Sequence, residues 1–566
     1  MMWIILMQVP ANGGFGFAPN EHSINYVPFS APRNNYGINT ISWLHPYFSY
    51  SCVTIPYRYI GTFPPPSSPY VCKYNILGFM QAWAGFWNAY DFDGNGYPDL
   101  PVHITEGAMY TDALFIGCLM DSIEMIVSYK QQYILYQTSP RSFNPVFIGE
   151  ERDTLITYRI DTIHYVSPNY NDYQHFYGTD VADINGDGFV DIISVAPENY
   201  IYPDSNPNLH GAGCIYFGPT YTSSICSDSI YGSPADPKFF TNHVAVSSNP
   251  RRIFVTAEAP LVVDTTWRFW QALLMVNPTT YTTVKLTDEC AEGVAVGDIN
   301  NDGYDDVVCS TSMNYIDNPT VSPKGIYYLL GPSYSTLYTA LDTFYTHDLI
   351  VYDINGDGRR DIVGSVFAGF DDGLDSIAVI VLYNQGGNPP TFYPVVYKVN
   401  EDGTPDCFGG YVQEVDIGDF NCDGLPDIIT AVVDPCGVVD RIVYIFTNMG
   451  GYPYPNFSPA LILRDTSDIY YGIVARDFDN DGYTDFAIPQ WWTHSICFIW
   501  NNVCGPLGHD DELVIKEDSE NWEDEYVEIY LPNGRKVYSG RYKDFQGKGI
   551  YIIRTSKGRT KSVIIK

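Results

Sequence analysis

The apolar positions of this chain fall in short runs, each set directly behind a polar segment of fixed design. Ile192-Ile-Ser-Val195, Val307-Val-Cys-Ser310 and Ile428-Ile-Thr-Ala-Val-Val433 are such runs. Their length and β-branched content predict buried strands. The polar segment in front is clearest in Asp183-Ile-Asn-Gly-Asp-Gly-Phe-Val-Asp191, and its spacing returns at 91–99, 298–306, 353–361, 419–427 and 477–485. Position 2 is always apolar (Phe92, Ile184, Ile299, Ile354, Phe420, Phe478), and so is position 10 (Leu100, Ile192, Val307, Ile362, Ile428, Phe486). Each segment therefore reads as a loop pinned at both ends by side chains that need burial. The six copies start 92, 115, 55, 66 and 58 residues apart. A period of roughly 60 residues is long enough for one four-stranded sheet per copy.

The longest gap holds one further repeat. Val244–Ala257 aligns with Ile350–Val363 once the loop is shortened, and its acidic positions are gone. That predicts a blade without metal and a total of seven. The 92-residue gap leaves room for an eighth, but residues 110–175 offer no remnant that aligns.

The chemistry of the loops follows from what a hard cation takes: oxygens from carboxylates, amide carbonyls and backbone carbonyls. Positions 1, 3, 5 and 9 carry Asp or Asn, and the carbonyl of position 7 can add a fifth oxygen. The expected ligands are Asp91, Asp93, Asn95, Tyr97 and Asp99; Asp183, Asn185, Asp187, Phe189 and Asp191; Asp298, Asn300, Asp302, Tyr304 and Asp306. The other three loops supply Asp353, Asn355, Asp357, Arg359 and Asp361; Asp419, Asn421, Asp423, Leu425 and Asp427; Asp477, Asp479, Asp481, Tyr483 and Asp485. Arg359 stands at position 7, where only its carbonyl faces an ion and its side chain is expected to point away. Position 6 is always Gly, as a chain folding back around an ion requires. The expectation is about six Ca²⁺, one per loop. An EF-hand would need Glu at position 12 and a helix behind it. Position 12 here is Val102, Ser194, Cys309, Gly364, Thr430 or Ile488. Dockerin-like loops also lead into helices, and thrombospondin-type repeats follow one another closely.

Gly178–Ala196 and Gly293–Val308, which carry two of these loops, resemble FG-GAP/VCBS repeats, the blades of the integrin-alpha type of β-propeller. The resemblance covers roughly residues 75–505. It implies an all-β fold, a seven-bladed β-propeller with calcium-binding loops between blade strands, but no single function.

Charge changes the picture in one respect. The chain has 66 acidic and 30 basic residues, a formal net charge of −36. Nineteen of the acids are loop ligands, so the acidity is largely a metal signature and argues against a nucleic-acid partner. Residues 505–566 balance 11 Lys+Arg against 11 Asp+Glu, which leaves the whole excess in residues 1–504.

The neutral tail is separate in pattern as well. Val527–Tyr538 alternates on both sides of Asn533-Gly534, a hairpin signal, and Gly547–Thr555 and Lys561–Lys566 supply two more strands. Residues 513–566 resemble the C-terminal sorting domain of the type IX secretion system, without that family's upstream Pro-Asn-Pro segment. The resemblance implies a small β-sandwich and the secretion machinery as a partner. An accessory β-sandwich with no targeting role is the alternative. Residues 31–505 are assigned to the propeller, with 30–75 as a lead-in or as an outer strand that closes the ring. Residues 1–30 open with Met-Met-Trp-Ile-Ile-Leu-Met, which reads either as a weak or truncated export signal or as an ordinary strand. No run reaches the length of a membrane span.

Twelve Cys suit an oxidising setting, secreted or at the cell surface. Near pairs are Cys52–Cys72, Cys214–Cys226, Cys290–Cys309 and Cys497–Cys504; Cys422, at loop position 4, has Cys407 or Cys436 within reach. No Cys-x-x-Cys pair occurs, so zinc is not expected. His164, His175, His210, His243, His347 and His494 fall in no metal or triad spacing, and Gly-x-Ser-x-Gly, His-Glu-x-x-His and the P-loop pattern are absent. Asp371-Asp372 and Asp510-Asp511 read as solvated acids before they read as a glycosidase pair. Trp491-Trp492 and Trp267/Trp270 fill blade interfaces more readily than they stack sugars. The leading expectation is adhesion or recognition of a surface glycan or protein, with no catalytic residues. A lyase or hydrolase acting on polysaccharide is the alternative, and a cluster of His, Arg or Lys converging on the central face would favour it.

Overall fold

The computed structural model describes residues 41–55, 81–85, 88–111, 122–152, 156–159, 178–196, 212–226, 240–263, 266–280, 282–311, 324–366, 378–399, 411–433, 441–465, 472–490, 495–505, 507, 526–530, 536–541, 549–555 and 560–565. The strands of residues 41–501 assemble into seven antiparallel sheets, one per repeat. Blade 1 runs from Gln81 to Arg152, blade 2 from Thr179 to Cys226, blade 3 from Phe240 to Thr287 and blade 4 from Val294 to Leu341. Blade 5 spans Thr346–Lys398, blade 6 Tyr411–Asp465 and blade 7 Val474–Asn501. Within each blade the strands follow chain order from the innermost outward. The molecule is an all-β seven-bladed propeller.

Blade 3 is the repeat without an acidic loop: its inner strand Phe240–Ser248 turns through Asn249-Pro250 straight into Arg251–Val263, with no room for one. The 92-residue gap is filled by unusually long strands of blade 1, Leu100–Thr111, Ser122–Ser139 and Ser142–Arg152, with Ile156–Arg159 paired beside them. No eighth sheet of this kind occurs among the described residues.

The core is a set of apolar seams, one between each pair of neighbours. Phe92 and Ile134 of blade 1 meet Ile192 and Tyr216 of blade 2, and Val363 and Tyr383 of blade 5 meet Val432 and Phe446 of blade 6. The seam that closes the ring joins Val474, Phe478 and Phe498 of blade 7 to Leu100, Val102 and Tyr133 of blade 1. There Phe143 stacks on Phe498 at 3.9 Å, and the Arg141 guanidinium lies 5.0 Å from the centre of the Trp500 ring.

The N-terminal segment completes the last blade. Phe48–Thr54 pairs antiparallel with Ser495–Asn501 as the outer strand of blade 7. Ile41–Leu44 adds a fifth strand to blade 6. The register places Cys52 opposite Cys497, and the two form a disulfide across 445 residues of sequence. This corrects the pairing of each with its near neighbour, Cys72 and Cys504. Cys504 instead bonds Cys422, rather than Cys407 or Cys436. Sequence distance misleads because ring closure sets Phe48–Thr54 against Ser495–Asn501 and because neighbouring blades 6 and 7 bring Cys422 beside Cys504. Cys290–Cys309 pairs as expected. Cys214 is disulfide-bonded and stands in register opposite Cys226.

In the tail, Tyr526–Tyr530, Lys536–Arg541, Gly549–Thr555 and Thr560–Ile565 form one antiparallel sheet. A second layer, which a sandwich needs, is not among the described residues. Residues 1–30, Trp491-Trp492, Asp371-Asp372, Asp510-Asp511, His164, His175, His210 and His494 lie outside them, as do the side chains of Trp267 and Trp270.

Candidate functional site

Each acidic loop follows the inner strand of its blade and ends on the first residue of the second strand, or in blade 1 on the residue just before it, so all six lie at the same end of the propeller. The conformation is set at positions 4 and 6. Gly94, Gly186, Asn301, Gly356, Cys422 and Asn480 at position 4 have φ between 59° and 82°, and the position 6 glycines between 84° and 90°. Two left-handed residues one apart turn the backbone amides inward. In blade 4 the Asp302 and Gly303 amides donate to the two oxygens of Asp298, at 3.1 and 2.8 Å. The Tyr304 amide donates to Asp302 Oδ1 at 2.9 Å. The same bonds recur at Asp353, Asp419 and Asp477.

Position 9 differs from the rest. Asp99, Asp191, Asp306, Asp361, Asp427 and Asp485 are all 0% exposed. One oxygen of each accepts the amide of position 2, and the other accepts an amide from the third strand or the turn behind it. For Asp306 the donors are Ile299 at 2.9 Å and Gly331 at 2.7 Å; for Asp485 they are Phe478 at 3.1 Å and Asn501 at 2.7 Å. This carboxylate staples the loop to its own sheet and keeps lone pairs for an ion. Burial pushes Asp99, Asp306, Asp361 and Asp427 up to about 7 and Asp485 to about 8, with the loop's other acids adding repulsion.

The acids come together as the spacing requires. One oxygen from each of Asp91, Asp93 and Asp99 lies within 4.8 Å of the others, and the same holds for Asp477, Asp479 and Asp481. The side-chain set is oxygen only, and like charges this close are costly without a cation, so the residues fit a hard divalent ion such as calcium.

Basic side chains reach three of the loops. Arg359 does not point away: its guanidinium bonds Asp357 of its own loop and its Nε donates to the Asn384 carbonyl at 2.9 Å. A four-atom stem at position 7 is long enough to curl back over the acids. Arg141 of blade 1 donates to Asp479 of blade 7 at 2.6 Å, and Arg251 of blade 3 lies 3.9 Å from Asp183 of blade 2. The loops also touch one another: Asn301 donates to the Gly358 carbonyl at 3.3 Å, and Asn480 to the Gly96 carbonyl at 2.8 Å.

An aromatic patch borders the loop of blade 5. Tyr393 and Tyr454, from the outer hairpins of blades 5 and 6, stack at 4.5 Å, with Tyr452 76% exposed beside them. Asn355 of the loop donates to the Pro453 carbonyl at 3.0 Å, which ties the patch to the acids. The sequence reading counted the many tyrosines with the tryptophans as able to stack sugars but did not single out these; Tyr-Pro-Tyr behind Gly450-Gly451 was the available signal.

Toward the other end of the axis the structure gathers residues that the sequence kept apart. His243 of blade 3, Glu292 at the entry to blade 4 and His347 of blade 5 bring one ligand atom each within 4.8 Å of the others. Glu414 of blade 6 stands 3.7 Å from His347 Nδ1. All four are buried. They are tens of residues apart in sequence, and only the stacking of inner strands around the axis unites them.

These features define a class: a seven-bladed β-propeller whose blades carry acidic nine-residue loops. Residues 291–325 match the model of the FG-GAP repeat family. Over 151 residues the chain is 34% identical to integrin alpha-6 of Homo sapiens, and over 154 residues 34% identical to integrin alpha-6 of Gallus gallus. Each match takes in 26% of this chain and 12% or 13% of the relative, so the chain spans a small part of their length. A solved structure titled "Structure of Dos1 propeller" overlaps 77% of this chain and 95% of its own, at 8% identity and a TM-score of 0.38.

Proposed function

We propose that the chain is a secreted or cell-surface recognition propeller that binds a glycan or protein ligand on a face ordered by calcium. The observation that carries this reading is the ring of six acidic loops at one end, cross-bonded between neighbours and bordered by exposed tyrosines. A bound cation at each loop neutralises the acids and fixes the backbone around them. It also holds Asn355, and with it the Tyr452–Tyr454 turn, in place. Rigid aromatic rings beside ordered polar loops supply large contact area at small entropic cost. The similarity to integrin alpha-6 supports an adhesive role, and the disulfides suit an oxidising compartment.

The polysaccharide-cleaving alternative has one observation in its favour, the meeting of His243 and His347. Both are less than a tenth exposed, and a polymer substrate needs an open cleft.

The test is binding of the full chain to arrays of surface glycans and extracellular proteins. Binding should appear in millimolar calcium, vanish in chelator, and weaken in Tyr452→Ala with calcium binding unchanged. Release of unsaturated oligosaccharide from acidic polymers would establish the enzyme instead. Residues 513–566 serve in this reading as the address for export. A chain ending at 512 should retain calcium binding yet stay within the envelope of a host that has the matching machinery; normal surface delivery would refute the address.

A further inference from the structure

The buried cluster on the axis has the make-up of a second kind of metal site. His243 lies in the inner strand of blade 3, His347 in that of blade 5, and Glu292 just ahead of that of blade 4. They are 2%, 7% and 6% exposed. The acidic loops follow the C-terminal ends of these strands, whereas His347 is the second residue of its strand and Glu292 precedes its own, so the cluster lies away from the calcium face.

The spacings are those of groups arranged around a common point. His347 Nε2 and Glu292 Oε2 are 3.9 Å apart, and all three ligand atoms fall within 4.8 Å of one another. That is too long for a direct hydrogen bond. Two ligands on one tetrahedral zinc ion, with bonds of about 2.0–2.1 Å, sit about 3.3 Å apart. A closing movement of well under an ångström per side chain converts one arrangement into the other. The two imidazole rings meet edge to face at 5.2 Å, beside the same centre.

The backbone around the cluster is held. The His243 amide donates to Thr256 Oγ1 at 3.1 Å, and Thr256 in turn donates to the Glu292 carbonyl, linking blades 3 and 4. The His347 amide donates to Ser365 Oγ at 3.2 Å. Behind His347, Glu414 Oε1 stands 3.7 Å from Nδ1, on the opposite side of the ring from Glu292. At 3.7 Å this is not a hydrogen bond, but a carboxyl group closing on the distal nitrogen would fix the tautomer of a metal-bound histidine and aim its other nitrogen at the ion.

We propose that His243 Nε2, His347 Nε2 and the Glu292 carboxylate bind one zinc-class transition dication on the propeller axis, with Glu414 as the positioning residue behind His347. Nitrogen ligands select such an ion over calcium, which the oxygen-only loops take. Burial of the whole set makes the site structural. It ties blade 3, the blade that has no acidic loop, to blades 4 and 5. The absence of Cys-x-x-Cys speaks only to thiolate sites; among the described residues no cysteine is free to compete.

The test strips the full chain with chelator, restores millimolar calcium to fill the loops, and titrates Zn²⁺ against a competing indicator. The wild type should take up about one tight equivalent, and His243→Ala and His347→Ala should lose it while keeping the wild-type calcium count. Glu414→Gln should retain the site with affinity lowered roughly 10–100-fold. No tight zinc in the wild type, or retention of it in both histidine variants, overturns the proposal. If the alanine variants fail to fold, zinc-edge X-ray absorption of the loaded wild type decides: two imidazole ligands are expected, and a shell of oxygen alone refutes the site. Neither readout depends on the recognition function.

Discussion

Asp306 and Asp302 are chemically the same residue four positions apart, yet the structure gives them different work. Asp306 is fully buried and pairs the amides of Ile299 and Gly331; Asp302 is exposed and turned to the centre of the loop. Removing Asp306 strands two buried donors, each at about 1–3 kcal/mol. Removing Asp302 takes away a proposed cation ligand and two exposed hydrogen bonds, from the Tyr304 amide and the Asn300 side chain. Asp306→Ala should therefore lower the melting temperature in chelator as well as in calcium, whereas Asp302→Ala should lower it in calcium alone. Scanning calorimetry of both variants under both conditions checks this, and equal losses in chelator would contradict it. The division is not legible in the sequence. All four side-chain positions read alike as ligands because the spacing is local, while the burial of position 9 depends on a partner strand about 25 residues on. Position 6 was legible, since a left-handed turn has few other residues to choose from.

Between blades, half-buried acids of the inner strands act as staples. Asp180 of blade 2 accepts the amides of Val181 and, across the seam, Val246 of blade 3, both at 2.8 Å, and the Asn88 side chain of blade 1 at 3.2 Å. Asp416 of blade 6 accepts the Ala475 amide of blade 7 at 2.7 Å. Arg476 then joins Asp416 to Asn88 and carries the chain of bonds across the closing seam. Burial raises Asp180 from 3.8 to about 6. With the folded value above the unfolded one, the native state holds a proton that the unfolded chain has released. This group's contribution is thus full below about pH 4 and is lost as pH rises to about 6. Asn at this position does not titrate. At saturating calcium, the stability of the wild type relative to Asp180→Asn should fall between pH 4 and 6 and stay level from 6.5 to 8. A level difference throughout would show that Asp180 is already ionised at pH 4. The repeat spacing revealed the blades, including the third, which has no acidic loop, and the N-terminal strand was an open alternative that the fold resolves in favour of closure. The disulfides Cys52–Cys497 and Cys422–Cys504 were not legible, because the first needs ring closure to set Phe48–Thr54 beside blade 7 and the second needs the packing of blade 7 against blade 6. Arg359 was misread for a related reason: loop position fixes where a carbonyl points but not where a long side chain ends.

At the scale of the whole molecule, an excess of 36 negative charges goes with a ring held by apolar seams, and nineteen of the 66 acids are gathered in six loops at one end. Repulsion within and between loops opposes closure, and cations remove it. Ligand binding to the native state alone raises stability by mass action. The charge and the loops were legible from the start, and so was the separation of the neutral tail. The axial histidines were not, because no sequence spacing encodes which inner strands become neighbours. The most direct test of the account is calorimetric titration of calcium into the chelator-stripped chain, with melting temperature followed in parallel. The account predicts about six equivalents, a melting temperature that climbs with free calcium, and one equivalent fewer in Asp187→Ala. An unchanged melting temperature between excess chelator and millimolar calcium would mean that the loops do not bind it, and the recognition face built on them would fall with that result.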